Sequence, residues 1–576
     1  MNFTVWAPRA DKAELLLDGQ PVPMRRDSGD WWSVEAPADP GARYGFLIDG
    51  VGPLPDPRSP WQPDGVHGQS RVIGQSFEWT DHKWQSGPLP AAVFYELHVG
   101  TFTPEGTFAA AIDRLEYLRQ LGITHLELMP VNQFSGRHGW GYDGVGLFAP
   151  HHAYGHPDDL KSLVNACHER GLAVVLDVVY NHLGPVGNYL SRLGPYFSNR
   201  HSTPWGEAVN LDGRGSDEVR RFFCDNALMW LRDYHFDGLR IDAVHAFVDL
   251  SATHLLEQLA AEVRQLEAET GRRLELIAES DLNDPRVLRS PEIGGYGIDA
   301  QWSDDFHHSL HALLTGETNG YYSGFGSLEH VAKCLREVWI YDGCYSTFRG
   351  RRHGRSPAGL SGHRFLGYMQ NHDQIGNRAK GERSSQLMSV PRLKIAAALI
   401  LTAPFVPLLF QGEEWGASTP FLYFTDHAEP EIASAVREGR RNEFAAFGWA
   451  PSEIPDPQAP DTFLQSKLDW SQASAQPHRD LLEWHRRLIK LRRETPDLRN
   501  GDLNKIDVRC HLDSQSLVFT RGGVTVAFTL SAEARDLPVA GSENCCLALA
   551  SGPGVDIARD SIHLPPDSIA ILKRRP

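Results

Sequence analysis

The stretch "LAVVLDVVYNH", residues 172–182, is apolar at almost every position, and only Asp177 interrupts it before its polar end. A strand with one wet face alternates apolar and polar residues. A run that is apolar on both faces belongs to a strand covered on both sides, the condition of a parallel sheet packed under helices. The residues just before it fit that reading. In "PDDLKSLVNACHERG" (157–171), Leu160, Leu163, Val164 and Cys167 fall on one helical face and Gly171 marks the stop.

The same alternation extends in both directions. Upstream, "AVFYELHVGTF" (92–102) and "THLELMP" (124–130) are short strand-like runs. Between them, "FAAAIDRLEYLRQLG" (108–122) predicts a helix with Phe108, Ala111, Leu115 and Leu118 inward and Gly122 at its end. Downstream come "GLRIDAV" (238–244), "LELIAES" (274–280), "GIDAQWSDD" (297–305), "RFLGYMQNHD" (364–373) and "VPLLFQGEE" (406–414). These make eight strand candidates with helical or long irregular segments between them, which predicts a (β/α)₈ TIM barrel with insertions. An open doubly wound sheet is the rival, but no Gly-rich phosphate loop follows the first strand.

The barrel is flanked by β structure. Residues 1–88 hold short runs such as "FTVWAP" and "YGFLIDG" between Gly, Pro and Asp, the spacing of a small immunoglobulin-like sandwich. "WQSGPLPAA" (84–92) reads as a linker. The catalytic barrel is expected over 89–495 and a C-terminal antiparallel β-sandwich over 496–576, with "SLVFTRGGVTVAFTLS" (516–531) a hairpin around Gly522–Gly523.

Composition narrows the function. At 576 residues the chain is too long for one core, and a net charge of −17 argues against nucleic acid and against anionic membrane. The start shows no basic segment followed by an apolar one, and no run of about 18 apolar residues occurs, so neither a signal peptide nor a membrane span is expected. The seven cysteines form no CxxC pair, which fits reduced thiols and a cytoplasmic location.

In a TIM barrel the chemistry gathers at the C-terminal ends of the strands. The residues there are Asp177, Asn181 and His182; Arg240, Asp242 and His245; Glu279; and Asn371, His372 and Asp373. Within "GLRIDAVHAF" (238–247), Arg240 and Asp242 are two apart and so point the same way. Alone, such a pair reads as a structural ion pair. Joined by Glu279 and Asp373 on other strands, it fits glycoside hydrolysis, which needs one ionised carboxylate and one protonated acid. Arg240 would aim Asp242 as the nucleophile. Glu279 would donate the proton, and Asp373 would stabilise charge on the ring. Trp140 and Tyr142 in "GWGYDG" (139–144) offer rings for stacking on sugar faces; Trp205, Trp302 and Phe421 read as core filling.

Four segments, "DVVYNH" (177–182), "GLRIDAVHA" (238–246), "ELIAES" (275–280) and "QNHDQ" (370–374), resemble in order and spacing the signature regions of the α-amylase family of glycoside hydrolases. The resemblance implies a retaining double displacement with Asp242 as nucleophile, Glu279 as acid/base and Asp373 as transition-state stabiliser. It places Tyr142, His182, Arg240 and His372 around the −1 sugar. Within the family, "WGYDGVGLFAP" (140–150), "DDFHHSLHALLTGE" (304–317), "NHDQIGNRAKGER" (371–383) and "FLYFTDH" (421–427) are most similar to members that release trehalose from maltooligosyltrehalose. That implies α-glucan substrates and metabolic pairing with a maltooligosyltrehalose synthase. His245 is then placed near the +1 sugar, and Asp305 is a candidate for recognising the trehalose end. Many amylases bind calcium near the position of Asn181, but no set of about six to eight oxygen ligands can be assembled here, so neither metal nor other cofactor is expected. Rival readings are a glycogen branching enzyme, a maltooligosaccharide-cleaving amylase and a non-catalytic glycan-binding protein. The last should have lost one of the three carboxylates, and none is missing.

Overall fold

The computed structural model describes residues 1–74, 77–445 and 450–575. Eight parallel strands close on themselves: β1 (Phe94–Leu97), β2 (His125–Leu128), β3 (Ala173–Val178), β4 (Gly238–Ile241), β5 (Glu275–Ala278), β6 (Ala300–Trp302), β7 (Phe365–Gly367) and β8 (Val406–Phe410). Each lies inside one of the runs read from the sequence. Every residue of all eight strands is buried, as a sheet walled by helices requires.

The two faces of the strands serve different cores. Outward residues such as Tyr95, Leu126, Val174, Leu239 and Leu276 join a large apolar cluster with the surrounding helices. Inward residues Phe94, Val175, Ile277, Ala300, Trp302, Tyr368 and Leu408 fill the middle of the barrel. Above that apolar waist the inward side chains become charged. Register pairs Glu96 with Glu127 across β1 and β2, and Asp177 with Arg240 across β3 and β4.

One local expectation changes. The segment 108–122 is two helices, Phe108–Ile112 and Leu115–Leu121, broken at Asp113–Arg114. Phe108, Ala111, Leu115 and Leu118 are still buried, and Gly122 ends the second helix at φ 101°, a left-handed conformation that glycine adopts without strain. Between β5 and β6 the described chain has only a short 3₁₀ turn, Pro291–Ile293, where the other crossovers carry α-helices.

N-terminal to the barrel, a three-stranded sheet built on Asn2–Trp6 and Trp31–Glu35 accompanies a five-stranded one built on Ala13–Leu17 and Arg43–Ile48. The linker expected at 84–92 is strapped to the barrel: Trp84 Nε1 donates to Asp237 Oδ1 (2.7 Å), and Arg273 Nη1 donates to the Ser86 carbonyl (3.1 Å). At the C-terminal end, sheets of five and three strands enclose Val518, Ala527, Ile562, Leu564 and Leu572. Arg521 pairs with Val524, so Gly522–Gly523 is the two-residue turn of a hairpin.

Candidate active site

Arg240 occupies the centre of the charged layer and is fully buried. Its Nη1 donates to Asp177 Oδ1 and Oδ2 (2.9 and 2.8 Å) and to Asp242 Oδ1 (2.7 Å), while the Trp302 ring covers the guanidinium at 4.3 Å. A guanidinium stripped of water in this way is held only if carboxylates surround it. The second oxygen of Asp242, Oδ2, accepts from Asn181 Nδ2 (2.7 Å). Both contacts on Asp242 come from pure donors, so both oxygens accept and the carboxylate is locked in one orientation.

Glu279 stands on the other side of the same arginine, its Oε2 3.4 Å from Arg240 Nη2 and accepting the Ala243 amide at 2.7 Å. Ala243 has φ 40°, so the chain turns sharply after Asp242 and aims that amide across the site. Burial pushes the Glu279 carboxyl up to about 8; Arg240 opposes this, and Asp242, Asp373 and Asp304 reinforce it. The site therefore holds one carboxylate with donors on both oxygens beside one acid held neutral, the pairing that glycosyl transfer demands.

Asp373 lies on the short helix His372–Gly376, begun by Asn371, whose side chain accepts the Gln374 amide. Its carboxylate is 38% exposed at the cleft, against 11% for Asp242 and 17% for Glu279. Gly376 leaves no room for a side chain, since a Cβ there would come within 1.9 Å of the Trp140 ring. Tyr142 donates to Asp177 Oδ2 (2.7 Å), and its hydroxyl lies 2.7 Å from His372 Nε2, the two rings stacked at 5.1 Å. His182 is buried and hydrogen-bonds Asn181 through Nδ1. His245 follows the Ala243 turn, half-buried, with Nδ1 accepting the Asp281 amide at 3.4 Å. Asp242, Glu279, Asp373, Arg240, His372, Tyr142, His182 and His245 therefore converge on one cleft.

Three expectations need correction. Asp305 is turned away from the cleft, and its Oδ2 accepts the amides of Ile340 (2.7 Å) and Tyr341 (2.9 Å) and Asn283 Nδ2 (3.0 Å). Its neighbour Asp304 faces the site instead, accepting from the Tyr368 hydroxyl at 2.5 Å. Burial raises Asp304 to about 7, with Asp281 and Asp373 adding to the rise. Trp140 is buried, not presented for stacking: Nε1 donates to the Leu422 carbonyl (2.9 Å) and the ring packs on Phe421 (5.2 Å). Trp205, read as core filling, is 48% exposed on a hairpin, its ring stacked on His182 at 5.0 Å.

Sequence reasoning also missed Glu96 and Glu127 as members of the charged layer. A glutamate inside each of "FYEL" and "LEL" was the available signal, since a charge in an otherwise buried strand must have a use or a partner. Tyr321, Tyr345 and Phe348 add exposed aromatic surface, and Arg349 beside Phe348 pairs with Asp281 (3.0 Å). Among the described residues no group of three or more His, Cys, Asp or Glu has a metal-binding arrangement; the Asn181 side chain is engaged with Asp242 and His182.

A closed eight-stranded barrel with this pair of carboxyl groups at its mouth defines a glycoside hydrolase of the α-amylase type. Comparison with known proteins agrees. The alpha amylase catalytic-domain model matches residues 71–200, and carbohydrate-binding module 48, the isoamylase N-terminal domain, matches residues 1–62. The chain is 49% identical to the malto-oligosyltrehalose trehalohydrolase of Rhizobium sp. (strain M-11), over 99% of this chain and 97% of that one. It is also 49% identical to that of Arthrobacter ramosus, over 99% of both. A crystal structure of a candidate alpha amylase from Salmonella typhimurium superposes with a TM-score of 0.91 at 39% identity, covering 100% of this chain and 97% of the other. The chain belongs to the malto-oligosyltrehalose trehalohydrolase family.

Proposed function

We propose that the chain hydrolyses the α-1,4 bond next to the terminal trehalose unit of maltooligosyltrehalose, releasing trehalose and a shortened maltooligosaccharide. The observation that carries the chemistry is the contrast between Asp242, with donors on both oxygens, and Glu279, raised to about 8. Similarity at 49% identity across 99% of the chain supports the choice of substrate.

The roles follow from chemical character. Asp242 attacks C1 of the −1 sugar while Glu279 gives its proton to the departing trehalose oxygen, so the C1–O bond breaks and a glycosyl ester forms. Glu279, now a carboxylate, takes a proton from water. The resulting hydroxide attacks C1 and Asp242 leaves, restoring both groups. Asp373, Arg240, His372, Tyr142 and His182 surround the −1 sugar, and Asp177 fixes Arg240. Trp205, exposed and stacked on His182, offers an aromatic face for a sugar ring. A cavity of about 360 Å³ beside Asp373, lined by Tyr321, Asn377, Arg378, Glu317 and Asn319, has the volume and mixed lining of a small-ligand site.

The carbohydrate module is taken as 1–88, the barrel as 89–495 and the C-terminal sandwich as 496–576. His67 of the module contacts Tyr189 (2.6 Å) and Glu429 (3.2 Å), so the module shapes one rim of the barrel. The enzyme works without a cofactor in the cytoplasm, downstream of a maltooligosyltrehalose synthase. Product analysis on maltooligosyltrehalose, plain maltooligosaccharide and amylose tests the reading. Dominant trehalose release from the first substrate is expected. New α-1,6 linkages from amylose, or equal cleavage of the first two substrates, would overturn it.

A further inference from the structure

Glu96 is the one charged side chain of β1, it is fully buried, and its whole carboxylate is spent on a single residue. Oε2 accepts the backbone N–H of His372 at 3.0 Å, and Oε1 lies against His372 Nδ1. Across the ring, Nε2 is 2.7 Å from the Tyr142 hydroxyl and 3.6 Å from Asp373 Oδ1. Tyr142 gives its proton to Asp177 (2.7 Å), which leaves a lone pair facing Nε2. Both ring nitrogens therefore face acceptors, and both must carry a proton.

The charges around the ring agree with this geometry. Burial alone would lower the His372 pKa, but Glu96 first and Asp373 second outweigh it and raise it to about 9, with Arg240 opposing. The remaining neighbours fit. Burial and the charge of Glu96 raise Glu127 well above the ordinary carboxylate value, favouring its neutral form, and His98 is lowered to about 3 by burial and is neutral. Asp177 is paired with Arg240. Trp140 and Trp302 close off the ring at 5.7 and 6.0 Å.

We propose that Glu96 is a positioning residue for glycosyl transfer, clamping His372 at backbone and ring so that its Nε2–H, a fixed, charged donor, holds the Tyr142 hydroxyl in place at the −1 sugar site. A charge-assisted donor binds a hydroxyl about twice as strongly as a neutral one, and a donor anchored at two points needs no reorganisation during reaction. An isolated imidazolium would oppose the positive charge that develops on the sugar ring. Paired with Glu96, it supplies the hydrogen bond with little net charge. The alternative is an ion pair that only ties β1 to the loop after β7. The inference rests on the functional reading above.

The test uses Glu96→Gln, which keeps shape and one acceptor, and Glu96→Asp, which keeps charge. Ring-labelled histidine is followed by NMR in an Asp242→Asn background, with His372→Asn to assign the signal, so the readout does not depend on turnover. The parent ring should stay doubly protonated beyond pH 8. Glu96→Gln should move its midpoint down toward the ordinary value of about 6.5. In the active enzyme, Glu96→Gln should lower kcat by about 10²-fold at pH 8 and by much less at pH 6, with Glu96→Asp partly restoring it. A ring still doubly protonated at pH 8 in Glu96→Gln overturns the proposal, as does a kcat loss equal at both pH values. Failure of the trehalose reading would appear separately, as wild-type products without trehalose, and leaves the ring titration to decide the clamp.

Discussion

The Glu279 carboxyl accepts the amide of Ala243 at 2.7 Å, and Ala243 is the residue immediately after Asp242. The turn that follows one carboxylate thus orients the other. Because the amide is a donor, it engages Oε2 and leaves Oε1 to carry the acid proton. An acid raised to about 8 is protonated below that pH and loses its proton above it. Turnover on maltooligosyltrehalose should therefore fall as pH rises through about 8. Glu279→Gln should cost about 10²–10⁴-fold on that substrate and far less on an α-glucosyl fluoride, whose leaving group needs no proton. A pH profile unchanged in Glu279→Gln, or no recovery on the fluoride, would remove Glu279 from the acid role.

Asp242→Asn tests the nucleophile. The amide is isosteric and Arg240 keeps its bonds to Asp177, so the fold should be retained, with some thermal stability lost because the new NH2 group faces a donor on Arg240 or Asn181. Activity should fall by at least about 10⁴-fold, because an amide cannot form the glycosyl ester. Turnover within tenfold of wild type would contradict the assignment.

The three carboxylates and the barrel were legible because their signals are local. A strand apolar on both faces, ended by a charge, reads the same whatever surrounds it. Asp305 and Asp304 show where that legibility stops. They are adjacent on one helix, so a local pattern cannot say which faces the cleft; the choice depends on amides at Ile340 and Tyr341, more than thirty residues on. Trp140 and Trp205 fail for the same reason. Whether a ring is buried or open is decided by partners such as Phe421 and His182 that no nearby residue announces. Glu96 and Glu127 became intelligible only through the register that sets β1 beside β2.

The corrected position of Asp305 makes a prediction of its own. Asp305→Ala leaves two backbone amides and Asn283 without their acceptor, at about 1–3 kcal/mol for each buried group left unpaired. The melting temperature should drop clearly, while KM of the folded fraction stays near wild type. Asp304→Asn should do the reverse, since Asp304 faces Glu279 and Asp373. A large KM effect from Asp305→Ala without loss of stability would return Asp305 to the substrate site.

The strapped linker offers a last test, this time of stability. His168 sits with Nδ1 2.7 Å from Asp81 Oδ2 and Nε2 2.9 Å from Asp237 Oδ2, its ring stacked on Trp84 at 4.7 Å. Burial disfavours the imidazolium, but the two carboxylates outweigh it and raise the pKa. A raised histidine contributes its stability fully below its unfolded value of about 6.5 and loses it as pH rises through the folded value. Asp81, which burial alone would raise, is brought down to about 2 by His168 and His235. Its contribution is complete above about 3.9 and fades as pH falls toward 2. The clamp should therefore be tightest between about pH 4 and 6.5. His235, lowered by burial, donates a single bond to Asp81 (2.8 Å) and titrates in the opposite sense, so wild type alone would blur the effect. The difference between wild type and His168→Gln isolates it. Removing one member of a buried ion cluster costs about 3 kcal/mol, so denaturant unfolding should show a gap of that order near pH 6 that narrows as the pH rises through the raised folded value. A gap that stays constant from pH 5 to 9 would mean that His168 serves through packing against Trp84 and not through its charge.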